Sequence, residues 1–172
     1  PALDIPGRYE DDQTSQEFQV LFEGERWQGV AGLYYLDASA SGAFDTPIGA
    51  LGLTIATSGY VDTTSYAAFA DVSYSITDRW RVSLGGRYTE DEKEGSVLRQ
   101  DYLGLGSPLF GNDAAVFFRT RTDYVNTRTF DKFTPRASVS FDFTDSMTTY
   151  ASYSEGFKSG GFDMRGDAIF TP

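Results

Sequence analysis

Three segments of this chain alternate apolar and polar residues with a period of two, and that period constrains the fold more than any other feature. In residues 64–76 the even positions are Tyr66, Ala68, Ala70, Val72, Tyr74 and Ile76, against Asp71, Ser73 and Ser75, with Phe69 as the exception. In residues 80–90, Trp80, Val82, Leu84, Gly86 and Tyr88 oppose Arg81, Ser83, Gly85, Arg87 and Thr89. In residues 133–143, Phe133, Pro135, Ala137, Val139, Phe141 and Phe143 oppose Thr134, Arg136, Ser138, Ser140 and Asp142. Side chains of a strand point alternately to its two faces, so each segment reads as a strand with one apolar and one polar face. Helical spacing is hard to find. Three further strands are predicted at 17–23, 27–36 and 147–157, with Phe18, Val20 and Phe22 sharing a face of the first. Residues 27–36 are apolar on both faces, which leaves their register open.

The connections sort into two kinds. Gly24-Glu25-Arg26, Thr77-Asp78-Arg79 and Thr144-Asp145-Ser146 each join two strands, and these residue types build tight hairpin turns. Between the hairpins lie long stretches, 37–62 and 91–128, which the sequence predicts to be loops. Short and long connections therefore alternate, with all the short ones at one end of the strands. Outer-membrane barrels have this arrangement, with short periplasmic turns and long external loops. A strand tilted about 45° needs roughly 9–11 residues to cross the hydrocarbon, which matches 133–143. Phe22, Trp27, Tyr74, Trp80 and Phe143 flank the three tight turns, where an interfacial aromatic girdle belongs.

Composition narrows the function. The 172 residues include no cysteine and no histidine, which removes disulfides, thiol catalysis and the His-dependent triads and metal sites. A net charge of −11 argues against a nucleic-acid partner, because phosphate recognition needs a basic face. No apolar run is long enough for a transmembrane helix. A mean hydropathy of −0.34 with 11 Tyr, 14 Phe and 18 Gly suits either a soluble all-β domain or a barrel whose two faces average out. The first residues, Pro1-Ala2-Leu3-Asp4, lack a signal peptide and suggest a mature or excised piece.

Residues 133–141, followed by Tyr150-Ala151-Ser152-Tyr153-Ser154-Glu155-Gly156-Phe157-Lys158-Ser159-Gly160-Gly161-Phe162, resemble the barrel of TonB-dependent outer-membrane receptors. Two further pieces agree: Ser15-Gln16-Glu17-Phe18 before Gly29-Val30-Ala31-Gly32-Leu33-Tyr34-Tyr35, and Thr77-Asp78-Arg79-Trp80 before Gly85-Gly86-Arg87-Tyr88-Thr89. The resemblance runs over residues 14–162. It implies an all-β fold, an antiparallel meander of about six strands forming part of a large transmembrane barrel. The complete barrel would have about 22 strands around an N-terminal plug. Neither a plug nor an energy-coupling box is recognisable, so residues 1–172 read as an internal segment of such a barrel. The implied role is energy-coupled uptake of a scarce nutrient, a ferric siderophore first, across the bacterial outer membrane. Its partners would be membrane lipid, the receptor's own plug, TonB and the small-molecule substrate. No enzyme activity and no cofactor or metal follow from it. Two other readings stay open: a small complete outer-membrane barrel acting as an adhesin or structural protein, with a further strand hidden in 115–124, and a soluble β-sandwich carbohydrate-binding module. A soluble fold would have to bury Tyr66, Val72, Val82, Leu84, Val139 and Phe141.

On this reading Arg81, Arg87, Arg136 and Asp142 face the lumen, where they either touch plug or anionic substrate or solvate the wall and pair across strands. The aromatics Phe44, Tyr60, Tyr102, Phe110, Phe117 and Phe118 are candidates for substrate contact from the external loops, or for packing those loops onto the barrel mouth. Pro135 has no N–H and is expected at the external end of its strand. The Gly156–Gly161 region is expected to end the last strand and turn into an external loop. The acidic runs 9–12 and 90–94 match no Ca²⁺ loop and read as solvated faces.

Overall fold

A computed structural model describes residues 4–163 of the chain. They form one six-stranded antiparallel meander, ordered β1 (Gly7–Glu23), β2 (Trp27–Ile48), β3 (Leu53–Ser75), β4 (Trp80–Leu103), β5 (Val116–Thr144) and β6 (Met147–Ser154). β1 and β6 are the edges and do not pair with each other among the described residues.

The three short turns lie at one end, as expected. At the first, the Gly24 N–H donates to the Trp27 carbonyl at 2.7 Å. At the second, Thr77 Oγ1 accepts from the N–H groups of Arg79 and Trp80 at 3.2 and 3.0 Å, a side-chain-stapled turn.

The other end differs from the expectation. Residues 37–62 are not a loop: β2 and β3 run on to a four-residue turn, Gly49–Gly52, where Gly52 takes the left-handed conformation at φ 59°. Residues 91–128 likewise continue β4 and β5 up to a short connection at 104–115. Residues 115–124 supply the start of β5 and no additional strand. The physical reason is that a strand needs only backbone pairing. Where neither face must avoid water, the side chains lose their period of two while the ladder continues.

Across the sheet the apolar positions fall on one face. Each of β2 to β5 carries nine band residues closed at both ends by an aromatic ring: Trp27 and Tyr35, Tyr66 and Tyr74, Trp80 and Tyr88, Phe133 and Phe141. Register brings these rings together, pairing Trp27 with Tyr74, Tyr35 with Tyr66, Trp80 with Phe141 and Tyr88 with Phe133. The Trp27–Tyr74 and Trp80–Phe141 rings lie 4.2 and 4.6 Å apart and the Tyr35–Tyr66 rings 5.2 Å apart. Eight strand steps span about 26 Å, or about 20 Å upright at a tilt of roughly 40°, close to the apolar height of a membrane barrel. Only the lower girdle was anticipated from the sequence.

No conventional core covers this band. Among the described residues the buried hydrophobics are Ala56, Ala67, Val97 and Ala115, whereas Leu84 is 62% and Phe133 58% exposed. Glycine positions in the band are filled by neighbouring rings, since a Cβ on Gly86 would come within 2.6 Å of the Phe133 ring.

Two strand limits are corrected. Pro135 stands inside β5, opposite Gly86 on β4, and does not end its strand. Its carbonyl accepts from the Glu155 N–H at 3.0 Å, on the β6 side. In an antiparallel ladder a residue's N–H and C=O point the same way, so the N–H that Pro135 lacks would also have served β6. β6 stops at Ser154, paired with Arg136, and does not reach residue 157. Pro135 thus ends the β5–β6 pairing rather than β5 itself. The chain beyond it does not run out into an external loop: through residue 163 it returns over the polar face of β4 and β5.

Candidate functional site

The polar face of β4 and β5 collects most of the chain's cations. Arg81, Arg87, Arg136 and Asp142 all lie on it, on rungs at or next to one another: Arg81 opposite Ser140, Gly85 opposite Arg136, Arg87 opposite Thr134. Arg87 is held in place, with its Cζ 5.1 Å from the Tyr34 ring centroid and 5.7 Å from that of Phe69, and its Nε donating to Thr89 Oγ1 at 3.0 Å. Asp142 Oδ1 accepts from the Thr148 hydroxyl at 2.6 Å. Arg81 and Arg136 are solvent-exposed.

The six aromatic candidates do not form one site. Phe44, Tyr60, Tyr102, Phe117 and Phe118 stand on strands, and only Phe110 lies in a connection. Tyr102 and Phe117 meet edge to face at 5.8 Å. The Tyr60 hydroxyl donates to Glu94 Oε1 at 2.9 Å, on the face that carries the apolar band further down. Phe44 points to the opposite face by parity.

Two acid-centred arrangements organise the far end of the ribbon. The first is Asp101, which is 3% exposed. It accepts from Arg119 Nε at 2.8 Å and from Arg121 Nη2 at 3.0 Å, where two register shifts bring β5 across from β4. Burial pulls the Asp101 carboxyl upward, but the two guanidinium groups together outweigh it and hold the group below its ordinary value. The second is Asp45, fully buried, whose Oδ2 accepts from the Leu109 N–H at 3.1 Å. Beside it the Thr54 hydroxyl donates to the Gly104 carbonyl at 3.0 Å and accepts from the Gly106 N–H at 3.3 Å. These bonds fold the β4–β5 connection back against the β2–β3 tip. Burial pushes the Asp45 carboxyl up, against the pull of the Leu109 hydrogen bond.

The acidic runs are split by the strand period. Glu90, Glu92 and Glu94 share one face of β4 while Asp91 and Lys93 share the other, so the carboxylates diverge. Lys93, Arg119, Arg121 and Arg128 escaped the sequence reading because 91–128 had been taken as a loop. Continuing the odd and even count through that stretch is the signal that would have placed them.

Residues 3–171 match the family model described as TonB dependent receptor-like, beta-barrel. The chain belongs to the TonB-dependent receptor β-barrel family. This receptor segment is 23% identical over 166 residues to the pesticin receptors of Yersinia enterocolitica and Yersinia pestis, covering 94% of the chain and 22% of each relative. It therefore spans about a fifth of the length of the curated relatives it matches. Its fold is that of the crystal structure of the ferric yersiniabactin uptake receptor from Yersinia pestis, with a TM-score of 0.61 at 18% identity over 85% of this chain and 20% of that one. The open apolar face is thus that of a barrel segment and not half of a soluble sandwich. A receptor barrel of this family is not an enzyme.

Proposed function

We propose that residues 1–172 form part of the wall of an outer-membrane receptor that takes up a scarce nutrient, a ferric siderophore first, using energy delivered by TonB to a plug inside the barrel. The observation that carries this reading is the in-register aromatic band on one face of the sheet, within a chain of the receptor-barrel family. The band faces lipid, and the polar face carrying Arg81, Arg87, Arg136 and Asp142 lines the lumen. The aromatics Phe110, Phe117 and Phe118 stand at the external tip and are the members of the aromatic set placed to meet substrate first. The small-complete-barrel reading loses its support, because the described residues supply six strands whose edges do not meet. The relatives' names, a pesticin receptor and a ferric yersiniabactin uptake receptor, favour an iron chelate as cargo.

Fractionation of cells expressing the full-length receptor tests the placement. An outer-membrane band with heat-modifiable gel mobility is expected, together with ⁵⁵Fe uptake that requires TonB. A soluble product without the mobility shift overturns the reading.

A further inference from the structure

On the polar face just beyond the outer aromatic ring, Lys93 of β4 stands directly opposite Arg128 of β5. Side chains directly opposite in an antiparallel pair are about 5 Å apart at Cβ, and like charges there are destabilising. The surroundings do not neutralise this pair. Glu92 and Glu94 point to the other face, where Glu94 already accepts from Tyr60 and Thr127. Asp91 shares the face but forms no ion pair with either cation among the described residues, and its rung partner is Phe130. Lys132, one further basic position along β5, is paired with Glu155 at 3.4 Å.

The segment after β6 fixes one of the two cations. Lys93 Nζ donates to the Gly160 carbonyl at 3.0 Å. The Phe162 ring occupies the space a Cβ on Gly95 would need, and a Cβ on Gly160 would come within 2.7 Å of the Phe130 ring. Two ring-on-glycine contacts therefore dock this segment beside Lys93. Arg128 is left exposed, with no hydrogen bond or ion pair among the described residues. A carbonyl satisfies a donor on Lys93 but does not cancel its charge. The result is a fixed ammonium and a free guanidinium side by side, with two phenyl rings next to them, in a chain whose net charge is −11.

We infer that Lys93 and Arg128 form an anion-binding site on the lumen wall, and that the cargo is a negatively charged ferric chelate, its charge carried on carboxylate or catecholate oxygens. A planar guanidinium grips such oxygens in two parallel hydrogen bonds, the ammonium adds a point charge, and Phe130 offers a surface to the chelate's carbon frame. Because it names the charge class of the cargo, the inference rests on the uptake reading above.

The test uses the purified full-length receptor and three ⁵⁵Fe(III) probes: a tris-catecholate and a tricarboxylate chelate, both anionic, and a neutral trihydroxamate chelate. At least one anionic chelate should bind more tightly than the neutral one, and its affinity should fall with ionic strength. Arg128→Gln should weaken that affinity about tenfold, with Arg128→Lys recovering part of it. The same Arg128→Gln variant, without chelate, should unfold at a higher temperature than the parent, because one of two facing like charges is gone. A purely structural arginine would move the two readouts the other way. Preferred binding of the neutral chelate, or anionic affinities unchanged within twofold in Arg128→Gln, overturns the inference and leaves iron uptake standing. Failure to bind any of the three chelates overturns the uptake reading together with it.

Discussion

Residues 66–74 and residues 53–65 belong to one unbroken strand, β3, yet they follow different rules. The lower stretch alternates strictly and is bounded by Tyr66 and Tyr74, and its apolar side chains lie open on one face. The upper stretch mixes Thr, Ser, Ala and Gly without period, and it contains the best-buried residues of the strand, Thr54, Ala56 and Thr57. The difference is one of solvent. A strand between lipid and lumen must sort its side chains by face, whereas a strand with water on both sides is held by its ladder and by whatever folds over it. Exposure on the isolated segment therefore measures different things in the two halves.

Leu84 and Val125 break or confirm that comparison most sharply. They lie on the same face and are 62% and 60% exposed. Leu84 is the middle residue of the 80–88 band, and Val125 lies eight residues beyond the Phe133 girdle. In a bilayer Leu84→Arg should cost about 2–4 kcal/mol, while Val125→Arg should stay within about 0.5 kcal/mol. Urea unfolding of the full-length receptor in lipid vesicles measures both. Equal costs would mean that the band does not face lipid.

The same contrast explains what the sequence made readable. Strand identity, the three short turns and the apolar face followed from residues 64–76, 80–90 and 133–143, because lipid contact forces the period of two. The upper strands escaped because water imposes no such period on 37–62 or 91–128. One signal was present there, since Gly49-Ala50-Leu51-Gly52 supplies the left-handed position a tight turn requires. Pro135 was rightly suspected of breaking a ladder, but which ladder depends on the direction of its carbonyl, which a sequence does not record. The Asp101 cluster was beyond reach altogether. Its arginines lie 18 and 20 residues away, and two register shifts decide which side chains meet.

Within the upper half, Asp101 is expected to dominate local stability. Asp101→Ala would strip both guanidinium groups of their partner, costing about 1–3 kcal/mol, less than the charge placed in lipid because Arg119 is already 59% exposed. Its pH dependence has a definite sign. The folded carboxyl titrates below its ordinary 3.8, so the contribution is complete above that value and is lost as pH falls through the lowered one. Hydrogen exchange over 99–103 and 116–122 should speed up in the variant and leave the band at 80–88 unchanged. A spread of the effect into the band would show that the two halves are one cooperative unit.

Asp45 sharpens the comparison within the ribbon tip itself, with a smaller effect of opposite sign. Its buried carboxyl keeps a hydrogen bond from Leu109, yet no arginine approaches it as at Asp101, and burial raises its titration above 3.8. A raised carboxyl favours the docked connection fully below the ordinary value, and that support fades as pH rises through the shifted one. The protection factor of the Leu109 amide, corrected for intrinsic exchange, should therefore climb as pH is lowered toward 4, by less than about tenfold. Amides beside Asp101 should begin to lose protection only at more acid pH. Two buried aspartates on one ribbon would then respond to acid in opposite directions, the only chemical difference being whether a guanidinium stands within hydrogen-bonding distance. A Leu109 amide insensitive to pH would mean that Thr54 and its bonds to Gly104 and Gly106 hold the connection down without Asp45.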